Sequence, residues 1–183
     1  MDYYKRIFKE SIIIVIISSI FGLISGSVLS FNEQILYAFP VILLLNPALN
    51  SLIGDISIVL VSRLTTHLYI GIISPKVEIS ERLKEDFLGL FISLILSLIS
   101  LLIIGYGFAL FTKVQIVNPL LICFVIILTI LILFLNMFIF LFIACIFFFN
   151  RGKDPNNFLI PFVSSLADFL TPFLIILFIT IFK

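Results

Sequence analysis

Two aspartates stand inside long apolar segments of this 183-residue chain, where lipid-spanning helices are expected. Asp168 lies in the stretch PFVSSLADFLTPF, and Asp55 lies in SLIGDISIVL. A charged side chain at the centre of a bilayer costs about 2.5–3.5 kcal/mol by insertion measurements, so such residues usually serve a function. Because hard cations prefer oxygen ligands, these two carboxylates favour binding of a hard cation as their chemistry.

Each aspartate belongs to a series of polar residues at helical spacing, since positions i, i+4, i+7, i+11 and i+14 share one face of a helix. Around Asp168 that face carries Asn157, Pro161, Ser164, Asp168 and Thr171. Around Asp55 it carries Ala48, Ser51, Asp55, Val59, Ser62 and Thr66, with Asn46 and Asn50 nearby. Both stripes are costly against lipid, so they are expected to face each other or water. The candidate ion ligands are Asp168, Asp55, Ser164, Asn157, Asn50, Ser51 and Thr171.

Prolines within these segments predict additional backbone ligands. Pro172 cannot donate a hydrogen bond to the carbonyl of Asp168, four residues earlier, so that oxygen is predicted to be free. Pro47 is expected to loosen the other segment, and Gly54 leaves room for a ligand. Irregular backbone at this depth is tolerated where it lines a cavity, so the pattern predicts a cation site on interrupted helices.

Structural interpretations of the same residues remain open. Serine, threonine and proline are common packing elements of membrane helices. Either aspartate could instead be a protonated hydrogen-bonding group or a contact between subunits. Arg63 can extend to the membrane surface and is expected to need no partner, while His67 has no companion at metal-ligand spacing.

Composition indicates an integral membrane protein. Hydrophobic residues make up 62% of the chain and charged residues 11%, which is far from the composition of soluble domains. The net charge of +1 gives no basic surface for nucleic acid. We therefore expect a multi-pass protein of the lipid bilayer, located in the plasma membrane.

Five segments can span the membrane, because a hydrocarbon core of about 30 Å needs about 20 apolar residues per helix. They are residues 11–31, 36–62, 87–111, 119–149 and 158–182. The first segment is longer than the apolar part of a signal peptide and no cleavage site ends it, so a retained span is predicted. The expected fold is an all-α integral membrane protein with five transmembrane helices. It forms one domain over residues 1–183, without a separate cytoplasmic regulatory domain.

Basic residues predict the orientation of the chain. Nine of the eleven lysines and arginines lie before the first span, between the second and third spans, or between the fourth and fifth. The positive-inside rule then places the N-terminus in the cytoplasm and the C-terminus outside. The connection SPKVEISERLKEDF mixes charge signs at helical spacing, so it is predicted to form a short cytoplasmic helix leading into the third span.

Two stretches resemble the MgtE family of magnesium channels, and more closely the eukaryotic solute carrier relatives of that family. PALNSLIGDISIVLVSRLTT, residues 47–66, is similar to the second-span signature through Pro47, Gly54, Ser62, Arg63, Leu64 and Thr66. Asp55 stands where the family usually has asparagine. DPNNFLIPFVSSLADFLT, residues 154–171, is similar to the fifth-span motif through Pro155, Asn157, Pro161, Ser165, Leu166 and Asp168.

The resemblance implies a divalent cation channel or transporter, chiefly for Mg²⁺, with Mn²⁺ and Co²⁺ as further candidates. It implies a homodimer in which the second and fifth spans surround a pore and Asp168 coordinates the ion. Because Mg²⁺ loses water reluctantly, a largely hydrated ion is expected. Bacterial members carry a cytoplasmic regulatory region that has no counterpart in this chain, so gating by such a region is not expected.

Three other functions remain open. A divalent cation exchanger coupled to H⁺ or Na⁺ would use the same carboxylates and would differ from a channel only in coupling. A membrane-embedded enzyme is not expected, because the chain lacks a histidine near a serine motif and a dense aspartate cluster. A non-transporting assembly subunit would bind a larger partner instead of an ion.

Overall fold

The computed structural model describes residues 2–183, with the side chains of Phe8 and of residues 12–183. Its helices are α1 (Asp2–Phe31), α2 (Glu33–Ala38), α3 (Pro40–Tyr69), α4 (Glu81–Phe111), α5 (Pro119–Asn150) and α6 (Pro155–Phe182). All of these except α2 are long and apolar enough to cross a membrane, which confirms the predicted all-helical, five-span fold. The N-terminal basic side chains used to predict orientation, Lys5, Arg6 and Lys9, lie outside the described side chains. The orientation and the single-domain organisation stay predictions.

The second span begins later than predicted because Pro40 separates it from a short preceding helix. The sequence predicted one segment from residue 36, but Glu33–Ala38 forms the separate helix α2. Phe39, between the two helices, has φ −131° and ψ 69°, which lie outside the helical region. The residue before a proline avoids helical backbone angles, so the helix is broken here. Pro40 opens α3, where its missing N–H is not needed, and α3 runs to Tyr69, beyond the predicted end.

The connection between α3 and α4 contains no separate helix. Residues 74–80 are irregular, and the helix begins at Glu81. The Ser80 hydroxyl caps it by accepting a hydrogen bond from the Leu83 N–H at 3.1 Å. From there α4 continues without a break to Phe111. The predicted short helix is therefore the first part of α4 and not an element of its own.

Neither α3 nor α6 is interrupted at its internal prolines, so the prediction of interrupted helices is wrong. Pro47 lies inside α3, Pro161 and Pro172 lie inside α6, and both helices continue through these positions. Each proline removes one helical hydrogen bond. Packing against neighbouring helices and replacement donors can keep such a membrane helix continuous.

Helices α1 and α6 run parallel and in register. The Ser18 hydroxyl donates to the Pro161 carbonyl at 3.2 Å, and the Ser25 hydroxyl donates to the Asp168 carbonyl at 2.6 Å. Both bonds join residues 143 positions apart, so seven residues of one helix match seven of the other. Phe21 packs on the aromatic rings of α6 between the two bonds.

Helices α3, α5 and α6 form the centre of the bundle. Helix α6 contacts α1, α3 and α5, and α3 also contacts α4 and α5. Fully buried side chains of the centre include Leu49, Ile53, Leu60, Ile126, Leu133 and Ile175. Gly105 lets α4 approach α3, because a Cβ at this position would overlap the side chain of Leu45. This packing fixes α3 and α6 side by side, and these helices carry both polar stripes.

Candidate functional site

The two polar stripes lie on the surface of the protomer. Exposed residues of α3 recur every three or four positions: Pro47, Ala48, Ser51, Asp55, Val59, Arg63 and Thr66. Exposed residues in the first half of α6 follow the same spacing: Asn157, Pro161, Ser164 and Asp168. We call Ser51, Asp55, Asn157, Ser164 and Asp168 the α3/α6 polar face.

Helices α3 and α6 are in contact beside this face, where Gly54 of α3 meets Ser164 of α6. A Cβ on Gly54 would lie 3.9 Å from the hydroxyl oxygen of Ser164, so the two helices are in close contact there. Asp55 directly follows Gly54, and Asp168 lies one helical turn, about 6 Å, beyond Ser164. Asp55 and Asp168 are therefore exposed on two helices that contact each other between them.

The carboxylates of Asp55 and Asp168 are exposed and have no hydrogen bond or ion pair with any residue that the structure describes. Both lie well inside helices that are long enough to span the membrane. Lipid tails cannot satisfy a charged oxygen, so water, a cation or another protein surface must supply the partners.

The backbone oxygen of Asp168, in contrast, is already occupied. Pro172 cannot donate to it, and the hydroxyl of Ser25 on α1 fills this position at 2.6 Å. The prediction of a free carbonyl at Asp168 is therefore wrong. The side chain of Asp168 remains the group that is open to a ligand.

The structure separates the other candidate ligands into two groups. The exposed group is Ser51, Asn157 and Ser164. Asn50 is half-buried and Thr171 is fully buried, so neither belongs to the exposed surface. Thr171 is three residues from Asp168 and therefore rotated by about 60° around the helix, toward the interior. Asn50 Oδ1 and Thr171 Oγ1 are buried without a hydrogen-bond partner among the described residues, which makes each a place for a water molecule.

The described side chains of the chain do not assemble a complete set of strong metal ligands. Among the side chains that the structure describes, no three His, Cys, Asp or Glu residues are grouped as a metal site requires. The polar face supplies two carboxylates together with hydroxyl and amide groups. This chemistry suits a hydrated hard cation, whose water molecules such groups can hold.

A buried charge network between α3 and α4 has no counterpart in the sequence predictions. Asp86 Oδ1 accepts a hydrogen bond from Arg63 Nε at 2.8 Å and lies 2.6 Å from Arg63 Nη2. His67 Nδ1 lies 3.0 Å from Asp86 Oδ2, without the alignment of a hydrogen bond. Arg82 Nε donates to His67 Nε2 at 3.4 Å. The Asp86 side chain is 0% exposed, so the cost of burying its negative charge must be offset by these neighbouring groups, chiefly Arg63.

The expectation that Arg63 needs no partner is therefore wrong, because Asp86 binds its guanidinium. The structure also places His67 beside this pair, a position that the sequence analysis did not predict. The available signal was the spacing of Arg63 and His67, which are four residues apart and share one face of α3. Asp86 directly precedes the apolar run of α4, where a buried carboxylate needs a cationic partner.

Fold and site together define a multi-pass α-helical membrane protein whose spanning helices carry, on a polar face, acidic side chains that no described residue pairs. The MgtE divalent cation transporter family matches residues 46–178, which include both polar stripes. The chain therefore belongs to the MgtE family of divalent cation transporters, as its two motifs implied. No curated protein and no solved structure gives a significant match.

The hydrogen bond from Ser25 to the Asp168 carbonyl predicts a stability effect. Ser25→Ala leaves that carbonyl without its donor, and the expected cost is about 1 kcal/mol. The measurement is the thermal unfolding temperature of the purified protein in detergent. Ser27→Ala is the matched control, because the Ser27 hydroxyl bonds only the Leu23 carbonyl of its own helix. Equal unfolding temperatures for the two variants would contradict the structural role of Ser25.

Proposed function

We propose that two copies of the chain form a homodimer in which the α3/α6 polar faces line a pathway for divalent cations, chiefly Mg²⁺. Divalent cation transport itself follows from membership of the family. The observation that supports the finer proposal is the position of Asp55 and Asp168, two exposed carboxylates on spanning helices that have no partner among the described residues. We place this homodimer in the plasma membrane with both N-termini in the cytoplasm.

A second copy of the chain is the cover that this polar face requires. Two-fold dimers are the commonest closed assemblies, and they pair one surface patch with the same patch of the partner. In such a dimer the polar faces meet each other instead of lipid, and water fills the space between them. Asp168 then stands opposite Asp168 of the partner subunit across the axis.

Charge repulsion across the axis favours a divalent ion over a monovalent one. Two carboxylates about 8 Å apart repel by about 2 kcal/mol at an effective dielectric constant of about 20. A divalent cation between them cancels both charges, whereas a monovalent cation cancels one. The pair of Asp168 carboxylates is therefore the central coordinating element of the pathway.

The other polar groups hold the water around the ion. Mg²⁺ keeps most of its water shell, so Ser164 and Asn157 are expected to bind the ion through water molecules, as is Ser51 on α3. Asp55 stands beside this site and adds negative charge. Asn50 and Thr171 lie behind the polar face, where their unsatisfied oxygens would hold water and not the ion. Mn²⁺ and Co²⁺ are candidate ions for the same pathway because they carry the same charge.

The variant Asp168→Asn tests the central carboxylate, because it keeps the side-chain shape and removes the charge. We expect Mg²⁺ uptake into liposomes, followed with an internal Mg²⁺-sensitive dye, to fall by at least about tenfold. Losing about 1.4 kcal/mol of attraction for the ion is enough for this factor. Glu78→Gln is the control, because it removes an exposed carboxylate from the connection between α3 and α4. Parent-level uptake by Asp168→Asn would show that the site assignment is wrong.

The homodimer predicts a protein mass of twice 20.8 kDa for the transporting species. Light scattering with the detergent contribution subtracted measures this mass. Uptake should also depend on vesicles that hold at least two copies when the protein is reconstituted at decreasing density. Transport by vesicles that hold one copy each would contradict a pathway shared between two subunits.

The variant Asp55→Asn is expected to behave differently from Asp168→Asn. It introduces the residue that the resemblance places at this position, and its amide oxygen can still hold a water molecule of the ion. Mg²⁺ uptake in the same liposome assay should therefore be largely retained. A complete loss of uptake in a correctly folded variant would instead show that the charge of Asp55 is essential.

A further inference from the structure

We propose that Asp86 is a positioning residue for transport. It holds the guanidinium of Arg63 against α4 and cancels its charge, so that divalent cations can pass the end of the polar stripe on α3. This inference rests on the proposed function, because it requires that the ions travel along the α3/α6 polar face.

Arg63 lies on the same exposed stripe of α3 as Asp55. Its side chain is 45% exposed, and it is eight residues, about 12 Å, further along the helix. Val59 lies between the two residues and is 46% exposed. A cation that leaves Asp55 toward this end of α3 therefore meets a guanidinium, which repels a divalent ion twice as strongly as a monovalent one.

Asp86 fixes the guanidinium on the side of α3 that faces α4. One of its oxygens contacts both Nε and Nη2 of Arg63, at 2.8 Å and 2.6 Å. The other oxygen lies against His67 Nδ1 at 3.0 Å. Arg82 donates to Nε2 of His67, which turns the Nδ1 side of the same ring toward Asp86. The carboxylate is thus bound to Arg63 through one oxygen, while its other oxygen packs against the His67 ring.

The charges of this network balance. Arg63 is opposed by Asp86, and Arg82 Nη1 lies 2.8 Å from Glu85 Oε2. His67 accepts the hydrogen bond from Arg82 through Nε2. Removing the charge of Asp86 therefore leaves one uncompensated positive charge at the end of the stripe.

The guanidinium also has space to move once it is released. A cavity of about 280 Å³ opens beside the network, and its lining is Val59, Arg63, Glu85, Asp86, Gly89, Leu90 and Ser93. Because Arg63 and Val59 share this lining, the cavity adjoins the exposed stripe of α3. Without Asp86 the long side chain of Arg63 is free to turn into the stripe, and Asp86 prevents this movement in the parent protein.

The experiment compares Asp86→Asn with the double variant Asp86→Asn/Arg63→Gln, as full-length protein in liposomes. Asp86→Asn should lower the initial rate of Mg²⁺ uptake about tenfold at low ionic strength, because Arg63 becomes an unpaired charge. The double variant should recover most of the parent rate, since no charge is left unpaired. Glu85→Gln is the matched control, because it removes the adjacent carboxylate and leaves Arg63 bound to Asp86.

Ionic strength separates an electrostatic effect from a structural one. The Debye length falls from about 30 Å at 0.01 M salt to about 3 Å at 1 M, so high salt should restore much of the uptake of Asp86→Asn. A purely structural loss would not respond to salt in this way. A double variant as slow as Asp86→Asn, or a parent rate for Asp86→Asn, overturns the inference.

A second pair of variants applies if Asp86→Asn cannot be recovered as folded protein by size-exclusion chromatography. Val59→Arg places an unpaired guanidinium on the same exposed stripe, nearer to Asp55, while Val59→Gln adds a polar side chain without charge. Only Val59→Arg should slow Mg²⁺ uptake, and the loss should shrink at high salt. Equal uptake by the two Val59 variants would overturn the inference as well.

The variant Asp168→Asn tests the proposed function separately from the role of Asp86, because it retains both Arg63 and Asp86. If Asp168→Asn loses uptake while Asp86→Asn transports normally, only the role of Asp86 is wrong. If Asp168→Asn transports normally while the double variant rescues Asp86→Asn, cations pass Arg63 but the central site lies elsewhere.

Discussion

A carboxylate cannot rest unpaired against lipid, and this constraint explains the organisation of the protein. Asp55 and Asp168 lie inside spanning helices, yet both are exposed on the protomer without a partner among the residues that the structure describes. The polar residues around them extend the same surface along α3 and α6. A face of this kind is stable in a membrane only where water, an ion or another copy of the chain covers it. The packing that places α3 and α6 side by side and the chemistry of their polar residues therefore meet one requirement, which is to keep unpaired carboxylates away from lipid.

The protein treats the acidic residues of its long helices in two contrasting ways. Asp86 is completely buried and is compensated within the protomer by Arg63 and by the neighbouring His67. Asp55 and Asp168 are left uncompensated on the surface. A buried and paired carboxylate mainly orients its partners, whereas an exposed and unpaired one keeps its full attraction for a cation. This contrast distinguishes the structural charge of α4 from the charges that can act on an ion.

Most of the fold and part of the site were predictable from the sequence, because they depend on local patterns. Long apolar runs located the spans, and helical spacing placed Asp55 and Asp168 on one exposed face. The pairing of Arg63 with Asp86 depends on the packing of α3 against α4, and the spacing within either helix does not determine it. The same holds for the Asp168 carbonyl, whose donor comes from Ser25, 143 residues away. The sequence wrongly placed Thr171 on the exposed face of α6. A stripe traced over four helical turns also includes positions that point toward the interior.

The two hydrogen bonds between α1 and α6 have a mechanical consequence. Ser18 and Ser25 bind carbonyls that are seven residues apart on α6, a separation of about 10 Å along the helix axis. Sliding or rotating one helix against the other breaks both bonds together, so α1 and α6 move as one rigid unit. Any displacement of α6 is thereby transmitted to α1, so a movement at mid-depth of the bundle reaches the first helix as well.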